Sequence, residues 1–242
     1  MPTASDSIVE HEPGDLTVIA GGGMRLAALQ DALSAKGQRL SLDPPGDPTL
    51  EECVLRDLAG PLQHRFGRMR DLLIGITVTL PDGTRASSGG KVVKNVAGYD
   101  LGKLFCGSRG RLGRVEQVAL KLHPRPAATR TRTTEAVRWG ELHRSYLVPS
   151  AVDLANGWMH VLFEGSTAAV EAQAAALGGD DSDPWDELRA LQSQLPGRRR
   201  WDGAAPAPLI RPGPRVAYIP DADERHWSTL AEQVVEALCN PI

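Results

Sequence analysis

The chain has 242 residues, of which 41% are hydrophobic and 24% are charged, and its formal net charge is −3. These values are typical of a globular protein with one large or two ordinary domains, and they exclude a strongly basic surface for nucleic acid. No apolar run approaches the roughly 20 residues that cross a bilayer, and the first residues lack a signal-peptide pattern. The three cysteines are widely spaced, as is typical of buried thiols in a reducing compartment, and we expect a cytoplasmic location.

The first half of the chain predicts short strands and helices that are separated by turns. In chain order these are a turn at 11–15, a strand at 16–20, helices at 24–36 and 51–58, a strand at 74–80, a helix at 99–106 and a strand at 118–122. Leu26, Leu29 and Leu33 lie on one face of the first helix. The prolines of segment 42–48 exclude regular structure there, because proline removes a backbone donor.

The composition changes after Pro126, and we place a boundary there between domains 1–126 and 127–242. The second part predicts an edge strand or linker at 127–138, a strand at 158–163 and helices at 167–177 and 185–195. The basic run at 197–200 is interpreted as a solvated loop, with a binding patch as the alternative. A strand at 215–219 and an amphipathic helix with Trp227, Leu230, Val234 and Leu238 follow. Hairpins mixed with short helices predict an α+β fold rather than a parallel βαβ sheet.

A cluster of glycines between residues 89 and 113 is the strongest functional pattern. Segment 89–99 contains three glycines with Asn95 and Tyr99, and segment 107–113 follows a Gly-x-x-Gly-x-x-Gly pattern. Any one of these glycines could be an ordinary turn former, but the ordered set favours a backbone that approaches a flat or anionic ligand such as a flavin. The usual nucleotide-binding motifs are missing, and the six histidines show no zinc spacing, so we predict no metal site.

These motifs resemble the flavin-binding, PCMH-type domain of the vanillyl-alcohol oxidase superfamily, and most closely the FAD-binding subunits of bacterial glycolate oxidases. The matching strings are EPGDLTV at 12–18, LDPPG at 42–46, AGP at 59–61, RFG at 65–67, MRD at 69–71, PDG at 81–83, GKVVKNVAGYDL at 90–101 and GSxGxLG at 107–113, where x is a position that does not match. The match covers about half of the chain in order and spacing, and residues 127–242 resemble the family's cap domain more loosely.

The resemblance implies an extended FAD cofactor and a small 2-hydroxy acid substrate such as glycolate. Electrons would pass through FAD to partners, namely a catalytic flavoprotein subunit and an iron–sulfur subunit. Segment 49–60 would bend around the pyrophosphate, and segments 95–99 and 112–115 would line the flavin. The residues that it predicts to bind the cofactor are Thr49, Leu50, Gly60, Gly67, Asn95, Val96, Gly98, Tyr99, Gly113 and Val115.

The chain departs from its relatives in two places. Relatives begin with a further segment that holds a first glycine-rich phosphate loop, so we expect a truncated first subdomain and an exposed apolar surface that a partner covers. Relatives also have two glycines where this chain has Glu51 and Glu52. A like-charge contact at 4 Å costs about 1 kcal/mol in water and about 4 kcal/mol at an effective dielectric of 20, unless the side chains rotate outward. The alternative is therefore a flavin-free paralogue that serves as a structural partner.

The chemistry-bearing side chains leave further alternatives open. Arg109 and Arg111 either stabilise a reduced flavin or orient an acid, or they are a solvated pair on a loop. His123, His143 and His160 are available as a base, but their spacing selects none of them.

Overall fold

The computed structural model describes residues 5–89, 100–201, 203 and 207–220. These residues divide into two compact units: unit 1 lies within 1–59 and 66–125, and unit 2 lies within 60–65 and 126–242. One division between the units lies at residues 125 and 126, near the predicted boundary. The short segment 60–65 was not predicted to be separate from the first domain, but its contacts place it in unit 2. The roles predicted for the two parts stay predictions.

Unit 1 is built on a five-stranded antiparallel sheet with the order β1-β2-β6-β4-β5. Its strands are β1 (Ile8–Glu12), β2 (Thr17–Gly21), β4 (Leu73–Thr79), β5 (Arg85–Gly89) and β6 (Arg114–Lys121), and a separate two-stranded ladder joins β3 (Gln38–Arg39) to β7 (His123–Pro124). Its helices are α1 (Leu26–Ser34), α2 (Leu50–Leu55), α4 (Met69–Leu72) and α5 (Leu101–Phe105), and α3 (Gln63–Phe66) begins in segment 60–65. Leu29 and Leu33 of α1 are fully buried, as their shared face predicts.

Unit 2 is a seven-stranded sheet with helices on both faces, in the order β11-β8-β10-β9-β13-β14-β12. Its strands are β8 (Ala128–Glu135), β9 (Ala151–Ala155), β10 (Trp158–Gly165), β11 (Asp180–Asp181), β12 (Gly197–Arg200), β13 (Leu209–Arg211) and β14 (Val216–Ile219). Its helices are α6 (Trp139–Arg144), α7 (Thr167–Leu177) and α8 (Trp185–Ser193). Side chains of α6 and α7 pack on one face and those of α8 pack on the other.

Every strand pair in the described residues is antiparallel, which confirms the α+β prediction. The predicted loop at 197–200 is wrong, because its backbone pairs with β14 while its three arginines stay exposed. The predicted edge strand or linker at 127–138 is the strand β8, which pairs with β10 on one side and with the two-residue β11 on the other. The predicted C-terminal helix lies outside the described residues.

Within the described part of the chain, no helix is both long enough and apolar enough to cross a membrane.

Candidate functional site

The start of α2 holds two of the predicted cofactor-binding residues, Thr49 and Leu50. Thr49 is the N-cap of α2, and a capping box joins it to Glu52: Thr49 N–H donates to Glu52 Oε2 (2.7 Å) and Glu52 N–H donates to Thr49 Oγ1 (3.2 Å). Leu50 is fully buried, and its N–H donates to the carbonyl of Met24 (2.9 Å). The Glu52 carboxylate thus folds back on its own helix, where negative charge is stabilised by the helix dipole.

Glu51 makes a contact across the unit that the sequence did not indicate. Its Oε1 accepts the N–H of Val115 at the start of β6 (2.9 Å), and Arg114 Nε lies 3.8 Å from the same oxygen. The Glu51 side chain is only 19% exposed, and Val115 is fully buried. One predicted cofactor-binding amide, that of Val115, therefore has a carboxylate of the chain itself as its acceptor.

Gly22 lies where β2, α2 and β6 meet. Its N–H donates to the Glu116 carbonyl (2.7 Å), and its carbonyl accepts the N–H of Glu51 (2.8 Å). A Cβ on Gly22 would overlap the carbonyl oxygen of Val115. The glycine is thus needed for close backbone packing beside the Glu51–Val115 bond.

The other described members of the predicted set lie in three places. Gly113 precedes β6 with φ +134°, and a Cβ there would overlap the Thr79 carbonyl. Gly67 lies between α3 and α4 in unit 1, whereas Gly60 belongs to unit 2. Within unit 1, Gly113 and Val115 thus lie two residues apart in the chain, and Val115 is joined to α2 by the Glu51 side chain.

The remaining four predicted residues, Asn95, Val96, Gly98 and Tyr99, lie outside the described residues. In segment 107–113, Arg109 and Arg111 are both exposed, as the solvated alternative expects. Ser108, in the same glycine-rich turn, is buried, and its hydroxyl finds no hydrogen-bond partner within the described part of the chain.

The described residues do not offer a free amide to a cofactor at Thr49, Leu50 or Val115. Each of these three N–H groups donates to an oxygen of the chain itself. A cofactor at this position would have to displace one of those oxygens, and the Glu51 carboxylate is a side chain that can rotate away.

A row of polar side chains crosses the sheet of unit 2 on the face that α8 covers. The strand registers place Thr133 opposite His160 and His160 opposite Asp153. Arg211 follows in line, since Asp153 Oδ1 accepts from Arg211 Nε (3.0 Å). Both members of this ion pair are fully buried. A buried pair of this kind fixes strand positions, because each charge needs its partner.

Further hydrogen bonds satisfy the Arg211 guanidinium and reach segment 60–65. Arg211 NH1 donates to the Tyr218 hydroxyl (2.7 Å), and Arg211 NH2 donates to Gln192 Oε1 of α8 (2.8 Å). Gln63 Nε2 also donates to the Tyr218 hydroxyl (3.2 Å). Through Gln63 this network joins segment 60–65 to the rest of unit 2.

Burial disfavours the charged form of two histidines of unit 2. Burial lowers the pKa of His64, and its Nδ1 has no hydrogen-bond partner within the described residues. Burial also lowers the pKa of His160, whose Nδ1 shares a hydrogen bond with Thr133 Oγ1 (2.8 Å). His64 was not among the predicted candidates, and a lone histidine in a short helix gives no local signal of its burial.

The other two candidate histidines lie against aromatic rings. The His123 ring lies 4.6 Å from that of Phe66 in unit 1, and the His143 ring lies 5.2 Å from that of Trp139 in unit 2. These distances between ring centres are those of packed aromatic pairs.

Comparison with protein families gives one match in the first half of the chain. Residues 3–89 match the model of a family described as an FAD binding domain.

Curated relatives extend the similarity over most of the chain. Over 200 residues the chain is 32% identical to the glycolate oxidase subunit GlcE of Escherichia coli (strain K12), which covers 78% of this chain and 57% of that protein. It is 34% identical over 128 residues to the glycolate oxidase subunit GlcD of Bacillus subtilis (strain 168), covering 52% and 27%. It is 32% identical over 123 residues to the mitochondrial D-lactate dehydrogenase [cytochrome] 1 of Saccharomyces cerevisiae, covering 51% and 21%. The chain therefore spans 57% or less of the length of each of these relatives.

Solved structures agree on the fold. An alkyldihydroxyacetonephosphate synthase superposes with a TM-score of 0.62 at 15% identity, over 78% of this chain and 45% of that one. At this level of identity the likeness shows the fold alone.

Proposed function

We propose that the chain is a member of the PCMH-type FAD-binding family and a subunit of an FAD-dependent oxidoreductase of small 2-hydroxy acids. The relatives named glycolate oxidase and D-lactate dehydrogenase act on acids of this class, as their names state. In this proposal unit 1 contributes to the cofactor site and unit 2 is the cap on the substrate side.

The observation that carries the proposal is the length of the match to the glycolate oxidase subunit of Escherichia coli. It runs over 200 residues, which is more than either unit contains, so both units share in it. A match confined to the FAD binding domain would support only the proposal that the chain binds FAD. A match that also includes unit 2 supports the proposal that the chain is a subunit like that of the glycolate oxidase.

We propose that the chain works within a complex that also contains a catalytic flavoprotein subunit and an iron–sulfur subunit. Val137, Tyr146 and Trp158 of unit 2 expose large apolar side chains, a kind of surface that subunit contacts cover. The free thiols of Cys53 and Cys106 support a cytoplasmic location for this complex.

A second candidate function is a flavin-free structural partner in the same kind of complex. The internal bonds of the Thr49, Leu50 and Val115 amides favour it, because a chain that never binds FAD has no use for free donors there. The two candidates differ in a single measurable property, the binding of FAD.

The deciding experiment is a visible absorption spectrum of the full chain, both as purified and after incubation with excess FAD and removal of the free cofactor. We expect a bound flavin spectrum. A chain that stays colourless in both preparations favours the structural partner. The substrate class is then tested without oxygen in the reconstituted complex, where glycolate or D-lactate should bleach the flavin and acetate, which lacks the hydroxyl, should not.

A further inference from the structure

The Glu51 carboxylate accepts a hydrogen bond from the Val115 amide, which the family resemblance predicts to bind the cofactor. Val115 N–H donates to Glu51 Oε1 at 2.9 Å, with Arg114 Nε 3.8 Å from that oxygen. We propose that Glu51 is an internal competitor of FAD, and that its carboxylate must leave the Val115 amide before the cofactor binds there. This inference rests on the proposed function and adds a residue that sets the affinity of the site.

The contact is well suited to such competition. A hydrogen bond to an ionised acceptor is stronger than a neutral one, and the 19% exposed side chain is only weakly screened by water. The backbone of Glu51 is fixed independently, since its N–H donates to the Gly22 carbonyl (2.8 Å). Only the side chain has to move, so the fold need not change when the carboxylate leaves.

The neighbouring Glu116 provides a matched control. It has the same charge and follows Val115 in the chain, but its carboxylate accepts from the Arg85 guanidinium (2.7 Å) and from the Thr79 hydroxyl rather than from a predicted cofactor-binding amide. A general effect of negative charge near the cofactor would appear at both residues. Competition for the Val115 amide would appear only at Glu51.

A purely structural role for Glu51 predicts the opposite change in FAD affinity when its carboxylate is removed. If the Glu51–Val115 bond only holds α2 against β6, its removal loosens the site and weakens FAD binding. If the carboxylate competes, its removal strengthens binding. The direction of the change therefore distinguishes the two roles.

The test is a titration of the full chain with FAD, monitored by quenching of flavin fluorescence, for the unaltered protein and for Glu51→Ala, Glu51→Gln and Glu116→Gln. We expect Glu51→Ala to bind FAD at least about tenfold more tightly, since a hydrogen bond to a charged group costs about that much to break. The FAD affinity of Glu51→Gln, which keeps an acceptor but loses the charge, should lie between those of the unaltered protein and Glu51→Ala. Glu116→Gln should bind FAD as the unaltered protein does.

The Val115 amide gives a second measurement that does not depend on activity. In Glu51→Ala without FAD, its hydrogen exchange should be faster than in the unaltered protein, and added FAD should slow it again. An affinity of Glu51→Ala that is equal to or below that of the unaltered protein, with faster Val115 exchange, overturns the role of Glu51 and leaves the proposed function standing. Absence of FAD binding in all four proteins overturns the proposed function itself, and this inference with it.

Discussion

Asp153 and Arg211 form an ion pair that is completely excluded from solvent, 58 residues apart in the sequence and adjacent in the sheet of unit 2. Each charge depends on the other, because an isolated charge in this position has neither water nor an opposite charge to stabilise it. The Tyr218 hydroxyl and the Gln192 amide oxygen complete the hydrogen bonds of the guanidinium.

Removal of one partner should therefore destabilise unit 2 far more than removal of one member of an exposed ion pair. We expect Arg211→Met to lower the free energy of unfolding by about 3–5 kcal/mol, because it leaves Asp153 buried without its countercharge. Urea denaturation followed by circular dichroism measures the change. The control is Asp186→Ala, which removes an exposed pair with Arg189 on α8 and should leave the midpoint almost unchanged. Equal shifts for the two variants would contradict the prediction.

The buried histidines His64 and His160 should make stability depend on pH. Burial lowers the pKa of each below its ordinary value of 6.5, so in acid the unfolded chain binds protons that the folded chain does not. Their contribution is complete above about pH 6.5 and is lost as the pH falls toward the lowered values, at up to about 1.4 kcal/mol per pH unit for each histidine. Asp153 opposes the shift at both residues, and His143 adds to it at His64.

Thermal unfolding between about pH 7.5 and pH 5 measures this dependence. A double variant with glutamine at positions 64 and 160 should show a flatter profile in this range than the unaltered protein. Profiles with the same slope would show that other groups cause the loss.

The thiols of Cys53 and Cys106 should not react in the folded protein. Burial, reinforced by Glu52 near Cys53 and by Asp57 near Cys106, raises the pKa of each thiol to about 12. Since the thiolate is the nucleophile, Ellman's reagent at about pH 8 should label neither residue until denaturant is added. A Cys239→Ser background removes the third thiol. Rapid labelling of the native variant would show that one of these two cysteines is accessible.

Gly22 should not tolerate a side chain. A Cβ there would overlap the Val115 carbonyl, which belongs to β6 and cannot move aside without disturbing the pairing of Val115 with Val78 of β4. We expect Gly22→Ala to lower the free energy of unfolding by about 1–3 kcal/mol, the usual cost of forcing extra volume into packed structure. Gly14→Ala, in an exposed turn with nothing within 4 Å of the added carbon, is the matched control. A smaller loss at Gly22 than at Gly14 would refute this assignment.

Local sequence patterns predicted those helices and strands that are determined by residues within or next to the element itself. The helix at 167–177 has the predicted bounds, since Ser166 caps its start and Gly178 ends it. The strand predicted at 74–80 from alternating apolar residues is β4. The strand predicted at 16–20 is displaced by one residue as β2. In each of these segments a periodic pattern and a turn residue lie within a few positions of one another.

Contacts between distant residues were not predictable in the same way. All five residues of β9 are buried, so the strand shows no alternation, and the partner of its Asp153 lies on a strand much later in the chain. The sequence indicated that Glu51 differs from the glycine of relatives, but it did not indicate that the carboxylate would bond to Val115. The basic run 197–200 resembled a loop because its side chains are solvated, although its backbone belongs to the sheet.

The hydrogen bond from Gln63 to Tyr218 affects how the protein can be divided for biochemical work. The polypeptide passes between the two units at three points in sequence rather than one, because residues 60–65 belong with the C-terminal half. A recombinant fragment that starts at residue 126 would lack a native donor to the tyrosine hydroxyl. Limited proteolysis at the linker near 126 should accordingly yield two pieces that remain associated until denaturant separates them.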